Sequence, residues 1–173
     1  HDMDGFDFNS LSSKRRVMVV CSTWGEGEQP DNAEDLWQFS ISDSASRMEG
    51  VHFAVLALGD SSYEFFCQSG KEWDGQFEKL GATRAIDRLD CDVDYDAPAA
   101  EWLMDALPTL AAVDSTGHFH EDMVDSIKMY ASGDSLRAEG EDEVGGSVGA
   151  EGELDLVRWV GDARDDSRRR IDL

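Results

Sequence analysis

Residues 17–25 read Val-Met-Val-Val-Cys-Ser-Thr-Trp-Gly, an apolar run that passes directly into polar and glycine-rich sequence. The run at 17–21 is continuous and largely β-branched, which is typical of a strand buried on both faces of a parallel sheet. The segment 22–30 that follows is too rich in glycine and polar residues for a helix or a strand. It predicts a functional loop at the carboxyl end of that strand.

The same order of strand, loop and helix recurs along the next part of the chain. The first helix follows the loop and is expected to be capped by Asp31 or Asn32. The elements predicted after it are a strand at 51–58, a turn at 59–62, a helix at 63–80 ended by Gly81, a strand at 84–89, an acidic loop at 90–96 and a helix at 97–110. This alternation predicts an α/β fold with a doubly wound parallel sheet and helices on both faces.

The pattern fades after residue 113. Residues 132–153 have the glycine, glutamate and aspartate content of a flexible linker, and we interpret them as a tether. Two short strands are predicted beyond it, at 154–160 and 168–173. The domain organisation expected from the sequence is therefore a domain at 1–112, a linker at 113–153 and the start of a further domain at 154–173.

Charge limits the possible partners. The chain of 173 residues has 38 acidic and 15 basic side chains and a formal charge of -23, with 40% hydrophobic residues to form a core. Such a charge argues against binding to nucleic acid or to anionic membranes and favours basic proteins and cations. The acidic excess is spread along the chain, which suits a saline cytoplasm as well as a docking face. We favour the saline explanation.

Cysteine and histidine usage indicates the compartment and argues against a metal site. Cys21, Cys67 and Cys91 are odd in number and far apart, which fits neither a disulfide framework nor a zinc site and indicates a reducing compartment. No apolar stretch approaches the length of a membrane helix, and the start is acidic, so we expect a cytoplasmic protein. His118 and His120 lie beside acidic residues, and we interpret them as solvated side chains and predict no metal ligands.

Ligands of an open parallel sheet bind beyond the carboxyl ends of its strands, where the loops 22–30, 59–67 and 90–96 are predicted to meet. Trp24 and Tyr63 are expected to sandwich a flat ring such as an isoalloxazine. Hydrogen bonds to the polar rim of the ring are expected from the hydroxyl groups of Ser22, Thr23, Ser61 and Ser62. In the alternative interpretation, Trp24 only packs on its loop and Tyr63 is a core residue at the start of a helix.

The segment 58–71, Leu-Gly-Asp-Ser-Ser-Tyr-Glu-Phe-Phe-Cys-Gln-Ser-Gly-Lys, resembles the signature of the flavoprotein subunit of NADPH-dependent sulfite reductase. Residues 22–28 resemble the flavin loop that precedes this signature in the diflavin reductases. More loosely, the resemblance extends over residues 2–110 and includes the Asp-Cys-Asp-Val-Asp-Tyr sequence at 90–95. It implies a flavodoxin-like fold that binds FMN.

The resemblance also implies which residues contact the cofactor. Tyr63 is expected to stack on the flavin. No catalytic acid or base is implied, because the redox chemistry belongs to the cofactor. The implied contacts are Ser22, Thr23, Trp24, Gly25, Leu58, Gly59, Asp60, Ser61, Ser62, Tyr63, Glu64, Phe65, Phe66 and Cys67.

Two departures from the family pattern affect these expectations. Trp24 stands where the reductases more often have Gln or Tyr, although flavodoxins often use Trp there. A family member is also expected to begin with a strand and a Ser/Thr-Gly loop that binds the FMN phosphate, and the resemblance starts after both. The sequence therefore predicts the isoalloxazine half of the site without its phosphate half.

The absent first strand has a structural consequence. In the family's sheet this strand would lie beside residues 17–21, so these residues are expected to form an exposed edge that promotes self-association. Residues 158–173 faintly resemble the opening of the FAD-binding module that follows the linker in this family. The chain is thus expected to be a piece of a longer reductase, cut at both ends.

The function implied by the resemblance is electron transfer. NADPH reduces FAD, FAD reduces FMN, and FMN passes electrons to a haemoprotein that reduces sulfite, or to another acceptor. This chain would hold only the FMN step and is not expected to be competent alone; a reductase module that holds FAD and NADPH is its other expected partner. The alternative is a non-catalytic remnant or interaction module without bound cofactor. A stand-alone flavodoxin is disfavoured because the linker continues towards a further domain.

Overall fold

The structure, a computed structural model, describes residues 1–132 and the strand Asp155–Arg158. A 3-10 helix, Phe8–Ser13, precedes the sheet, and a second, Glu121–Met123, lies near the end of the described part. The other elements are β1 (Arg16–Ser22), α1 (Asp31–Ser40), β2 (His52–Leu58), α2 (Gln68–Lys79), β3 (Thr83–Arg84), β4 (Leu89–Cys91), α3 (Asp96–Ala111), α4 (Val124–Ala131) and β5 (Asp155–Arg158). None of the described helices has both the length and the apolar character needed to cross a membrane.

The strands form one parallel sheet in the order β3, β2, β1, β5, and β4 also pairs with β2. β1 and β2 pair over their full length, from Arg16 opposite His52 to Ser22 opposite Leu58. β1 and β2 are joined through α1, and β2 and β3 through α2, which is the βαβ connection that the alternation of the sequence predicts. The predicted flavodoxin-like parallel sheet is confirmed.

The two apolar strands are buried on both faces because helices cover both sides of the sheet. On one face Val17 and Phe53 pack with α1 and α2, and this layer is aromatic, with Trp73 and Phe77 fully buried. On the other face Met18 and smaller aliphatic side chains pack against α3. Alternate residues of each strand therefore enter different cores, which explains why the strand sequences are continuously apolar.

The predicted strand 84–89 is not continuous. The chain forms the short strands β3 and β4; the amide of Ala85 still donates to Phe53 of β2 at 2.8 Å, and residues 86–88 interrupt the pairing between the two strands. Arg84 and Arg88 converge on the carboxylate of Asp74 in α2, at 2.8 and 2.9 Å. These two ion pairs lie on either side of the interruption. Asp90 belongs to β4, so the predicted acidic loop is shorter and begins at residue 92.

Two helix starts also differ from expectation. The helix predicted at 63–80 begins only at Gln68, because Cys67 has the left-handed φ of 55° and residues 60–66 form turns. Its end is as predicted, with Gly81 at a φ of 97°. Neither Asp31 nor Asn32 caps α1: the helix begins at Asp31, and the carbonyl of Pro30 accepts the first amides.

The first part of the predicted linker is structured, which corrects its assignment as a flexible tether. Val113 forms an isolated bridge with Phe119, and α4 follows and packs against α3. Lys128 of α4 forms an ion pair with Asp105 of α3 at 2.7 Å. The remainder of the predicted linker, 133–153, lies outside the described residues.

The edge of β1 is not exposed as predicted. β5 pairs with it in parallel, with Val17 opposite Asp155 and Val20 opposite Arg158. A strand within the predicted segment 154–160 is therefore present. It pairs with the backbone of β1 along the edge that was expected to promote self-association. The second predicted strand, 168–173, lies outside the described residues.

Candidate cofactor-binding site

Three loops begin side by side at the carboxyl edge of the sheet. β1 ends at Ser22, β2 at Leu58 and β4 at Cys91. The amide of Thr23 donates to the carbonyl of Leu58 at 3.0 Å, and the amide of Gly59 donates to the carbonyl of Cys91 at 2.9 Å. These two bonds extend the sheet pairing by one residue and bring the three loops together, as the sequence predicts.

The loop after β1 is a tight reverse turn that exposes an indole ring. The backbones of Trp24 and Glu28 exchange hydrogen bonds of 3.0 and 2.9 Å. Gly25 and Gly27 have positive φ angles of 49° and 109°, and a Cβ on Gly27 would lie 2.9 Å from the Cβ of Phe65. The turn therefore needs both glycines. Trp24 is 50% exposed at its start.

The loop after β2 holds its aromatic residue on a second turn. The carboxylate of Asp60 accepts hydrogen bonds from the amide and the hydroxyl of Ser62, at 2.9 and 2.5 Å. The amide of Tyr63 donates to the carbonyl of Asp60 at 3.1 Å. Tyr63 is 63% exposed, so the interpretation of this residue as a core residue at a helix start is wrong. Glu64 and Phe65 are also exposed in this loop.

The third loop contributes a carboxylate that the sequence pattern does not single out. Asp92 accepts hydrogen bonds from the amide of Ser61 at 3.0 Å and from its hydroxyl, and a third from the amide of Val93 at 2.8 Å. The hydrogen bonds from Ser61 hold the pKa of Asp92 below its usual value. Ser61 was predicted to bond the rim of a ligand, whereas its two donors are directed to Asp92.

The ends of the loops are fixed from below by buried groups. The hydroxyl oxygen of Thr23 accepts a hydrogen bond from the amide of Ser69 at 3.1 Å. The Sγ of Cys67 lies 3.5 Å from the carbonyl oxygen of Cys91. Burial raises the pKa of Cys67 to about 12, so at neutral pH this residue is an unreactive thiol that supports the loop.

Gln29 is a further support, and the sequence pattern does not predict it. Its side-chain oxygen accepts hydrogen bonds from Ser69 at 2.6 Å and from the indole of Trp73 at 2.9 Å, and its amide group donates to Glu72 at 2.8 Å. Gln29 is buried, with 5% of its surface exposed. The end of the first loop is thereby attached to α2. No sequence signal marks such partners, because they lie at least forty positions away.

The predicted site residues divide into a contact group and a support group. Trp24 and Tyr63 present their rings to solvent at the carboxyl edge, which fits the stacking of a flat aromatic ligand. Ser22, Leu58 and Cys67 are buried below the loops, where they form the base of the site. Gly59 must be a glycine, since a Cβ there would lie 2.8 Å from the amide nitrogen of Cys67. Phe66 is half-buried.

The described residues fit the ring of a flavin better than its phosphate. The helices α1 and α3 begin at this edge with Asp31, Glu34 and Asp96 in their first turns, and these carboxylates oppose the binding of an anion. At the start of α2 the amides of Gln68 and Ser69 are already bonded to protein acceptors. Within 1–132 the helix starts at the site thus offer no phosphate cradle.

The two histidines considered as metal ligands lie far from these loops in the topology, in the turn beside the start of β2. Their ring centroids are 4.7 Å apart, and the Nε2 atom of His120 lies 2.9 Å from Asp114. Within the described part of the chain, no group of His, Cys, Asp and Glu side chains is arranged to hold a metal ion.

Comparison with known proteins identifies the fold family and a group of similar proteins. Residues 1–103 match the flavodoxin family. The chain is similar to the sulfite reductase [NADPH] flavoprotein alpha-component of Bacillus subtilis, with 52% identity over 108 residues, which are 62% of this chain and 18% of the relative. The corresponding protein of Vibrio vulnificus is 43% identical over 135 residues, which are 78% of this chain and 22% of the relative.

A solved structure shows the same fold. A cysteine-to-serine mutant of flavodoxin from Pseudomonas aeruginosa is 30% identical, with a TM-score of 0.55 over 64% of this chain and 76% of the other. The resemblance to the sulfite reductase flavoprotein is thus confirmed by the named relatives, of whose length this chain spans about a fifth. Because the family match covers more than half of its residues, the chain belongs to the flavodoxin family.

Proposed function

We propose that residues 1–112 bind FMN through its isoalloxazine ring and transfer electrons as the FMN domain of a sulfite reductase flavoprotein. The observation that carries this proposal is the pair of exposed aromatic residues, Trp24 and Tyr63, on adjacent loops at the carboxyl edge. Exposed aromatic side chains are costly in water and suit a flat apolar ligand. When bound, FMN supplies the redox chemistry.

The role of the chain is to bind and orient the ring. Trp24 and Tyr63 would contact its two faces, and the backbone of Gly25 would approach its polar rim. The amides of Gly59 and Ser62 are already bonded to Cys91 and Asp60 and would shape the loop. Cys67 and Thr23 hold the loops at a fixed separation from below. The other predicted contacts, from Ser22 and from 58–67, remain part of this proposal as residues that line or support the ring.

The wider electron path belongs to the same proposal. The relatives are named as NADPH-dependent flavoproteins of sulfite reductase, so we propose that electrons pass from NADPH through FAD to FMN and then to a sulfite-reducing haemoprotein. In this scheme FAD and NADPH are held by a reductase module, for which residues 154–173 are the proposed start and 113–153 the connection. The proposed location is the cytoplasm.

Titration of the chain with FMN and with riboflavin, followed by flavin fluorescence, tests the proposal. We expect both ligands to bind with similar affinity, because the described residues provide the ring contacts and no phosphate cradle. Absence of binding by either ligand would contradict the proposal and favour a module that keeps the fold without cofactor. A strong preference for FMN would contradict the view that the two aromatic loops supply the affinity.

A further inference from the structure

We propose that Asp92 is a positioning residue that fixes the loop 59–67 in the conformation that binds the flavin ring. This inference rests on the proposed function and deepens it. Asp92 belongs to the third loop and accepts two hydrogen bonds from Ser61 of the second. Neither the family match nor the names of the relatives assign a role to this carboxylate.

The position of Asp92 within the loop contacts explains why it matters. The start of the loop is fixed by the bond from Gly59 to Cys91, and its end by the contact between Cys67 and the same carbonyl. In the middle of the loop, Asp60 accepts hydrogen bonds from Ser62 and Tyr63, and the carbonyl of Phe66 accepts one from Lys71 of α2 at 2.6 Å. The bonds from Ser61 to Asp92 attach that middle part to the sheet.

Ser61 is well placed to transmit this effect to the aromatic side chain. It lies two residues before Tyr63, whose ring is largely exposed and receives little support from neighbouring side chains. Without its bonds to Asp92, the turn at residues 60–63 would keep its local hydrogen bonds but lose this attachment to the third loop. Ordering the loop before the ligand arrives lowers the entropic cost of binding.

Asp92 is itself carried by a firmly attached element. It follows β4, where Asp90 forms an ion pair with Arg88 at 2.6 Å, and Arg88 in turn contacts Asp74 of α2 at 2.9 Å. The Asp74 carboxylate is nearly buried, with 10% of its side chain exposed. The carboxylate that holds Ser61 is therefore connected to the core through β4.

The test measures the affinity of the 173-residue chain for riboflavin and FMN in three variants, Asp92→Ala, Ser61→Ala and the double variant. Asp92→Ala removes the acceptor of both bonds from Ser61 and should weaken binding of both ligands about threefold. Ser61→Ala keeps the amide bond and should have the smaller effect, and the double variant should be no weaker than Asp92→Ala. Far-UV circular dichroism and thermal unfolding are recorded for each, because the two residues are exposed and the fold should be retained.

Two matched controls separate positioning from other effects. Asp94→Ala removes the same charge from the same exposed loop without removing the acceptor of Ser61, and should leave affinity unchanged. Ser61→Thr keeps both the amide and a hydroxyl donor, so it should bind flavin as tightly as the unsubstituted chain and more tightly than Ser61→Ala. In the absence of flavin, hydrogen exchange of the Ser61 amide should be faster in Asp92→Ala than in Asp94→Ala.

The outcomes distinguish this inference from the proposed function. If the unsubstituted chain binds flavin and Asp92→Ala binds it equally well, Asp92 does not position the loop. If Asp94→Ala weakens binding as much as Asp92→Ala, the effect is one of general charge, and the inference is again wrong. If the unsubstituted chain binds no flavin, the proposed function fails and the inference fails with it.

Discussion

The two ends of the same parallel sheet are built differently. At the carboxyl end the loops expose Trp24 and Tyr63 to solvent. At the amino end, the turn at residues 114–120 covers the starts of β1 and β2 with hydrogen bonds, including one from His52 to the carbonyl of Gly117 at 3.0 Å. The amino end is covered by this turn, whereas the carboxyl end leaves aromatic surface for a partner. We infer that the amino end of the sheet contributes mainly to the stability of the fold and the carboxyl end mainly to ligand binding.

The amino end is closed by close backbone packing. Arg15 donates to the carbonyl of Ser115 at 3.3 Å, and Asp114 accepts bonds from Thr116 and His118 that shape the turn. Gly117 has a φ of 86° and approaches the backbone of Gly50 closely. Changes here should affect folding and spare the ligand site. Changes at the carboxyl end should do the reverse.

The largest expected effect is on folding, in Gly117→Ala. A Cβ at this position would lie 2.8 Å from the carbonyl oxygen of Gly50, and the φ of 86° is strained for alanine. We expect the free energy of unfolding to fall by about 2–4 kcal/mol, as measured by chemical denaturation. The affinity of the folded protein for riboflavin should not change.

Gly5→Ala is the matched control for this experiment. Gly5 also has a positive φ, 67°, but a Cβ at this position would have no atom within 4 Å, so only the backbone strain should remain. Its cost should be about 1 kcal/mol. If Gly117→Ala cost no more than Gly5→Ala, the amino end would not be closely packed. If it weakened riboflavin binding under fully folded conditions, the two ends would not be independent.

The next effect is on binding, in Tyr63→Ala. Because Tyr63 is 63% exposed, its removal should leave the melting temperature nearly unchanged. Loss of the aromatic contact should weaken flavin binding by about 1–3 kcal/mol in a fluorescence titration. Tyr130→Ala removes an even more exposed tyrosine, from α4, and should alter neither property. Equal affinity in the Tyr63 variant would remove that residue from the site.

The smallest effect concerns acid and the turn at the amino end. The Thr116 hydroxyl and the His120 ring hold the pKa of Asp114 well below its usual value of 3.8. A carboxyl group with a lowered folded pKa stabilises the fold above its usual pKa, and this contribution is lost as the pH falls towards the lower one. Below about pH 4, Asp114→Asn should therefore lose less stability than the unsubstituted chain.

Unfolding measured by denaturant at a series of pH values checks this expectation. Asp125→Asn, at an exposed aspartate of α4, is the matched control and should follow the unsubstituted chain throughout. Parallel profiles for Asp114→Asn and the unsubstituted chain would show that this carboxylate does not stabilise the turn. Riboflavin affinity should be the same in both variants, because the turn lies at the opposite end of the sheet.

The parts that could be predicted from the sequence are those set by local pattern. The apolar runs of β1 and β2 and the spacing of α3 led to elements close to those observed. The aromatic residues after the two strands led directly to the exposed pair at the carboxyl edge. Continuous apolar strands and strand-to-loop transitions are local signals, and they are sufficient to predict which loops meet at the carboxyl edge.

The features that were missed depend on contacts between distant residues. The break between β3 and β4 is flanked by the ion pairs of Arg84 and Arg88 with Asp74, and the late start of α2 coincides with the left-handed Cys67. The pairing of Ser61 with Asp92 spans 31 residues. Such contacts form only once the sheet has assembled, and no local sequence pattern predicts them. The pairing of β1 with β5 is of the same kind.

The most direct test of the difference between the two ends is a riboflavin titration of the 173-residue chain followed residue by residue by NMR. We predict that amide shifts change at the carboxyl end, at Trp24, Ser62 and Tyr63, and that residues 114–120 at the amino end do not respond. Shift changes confined to 114–120, or spread evenly over the chain, would contradict the account. So would a complete absence of changes at saturating riboflavin.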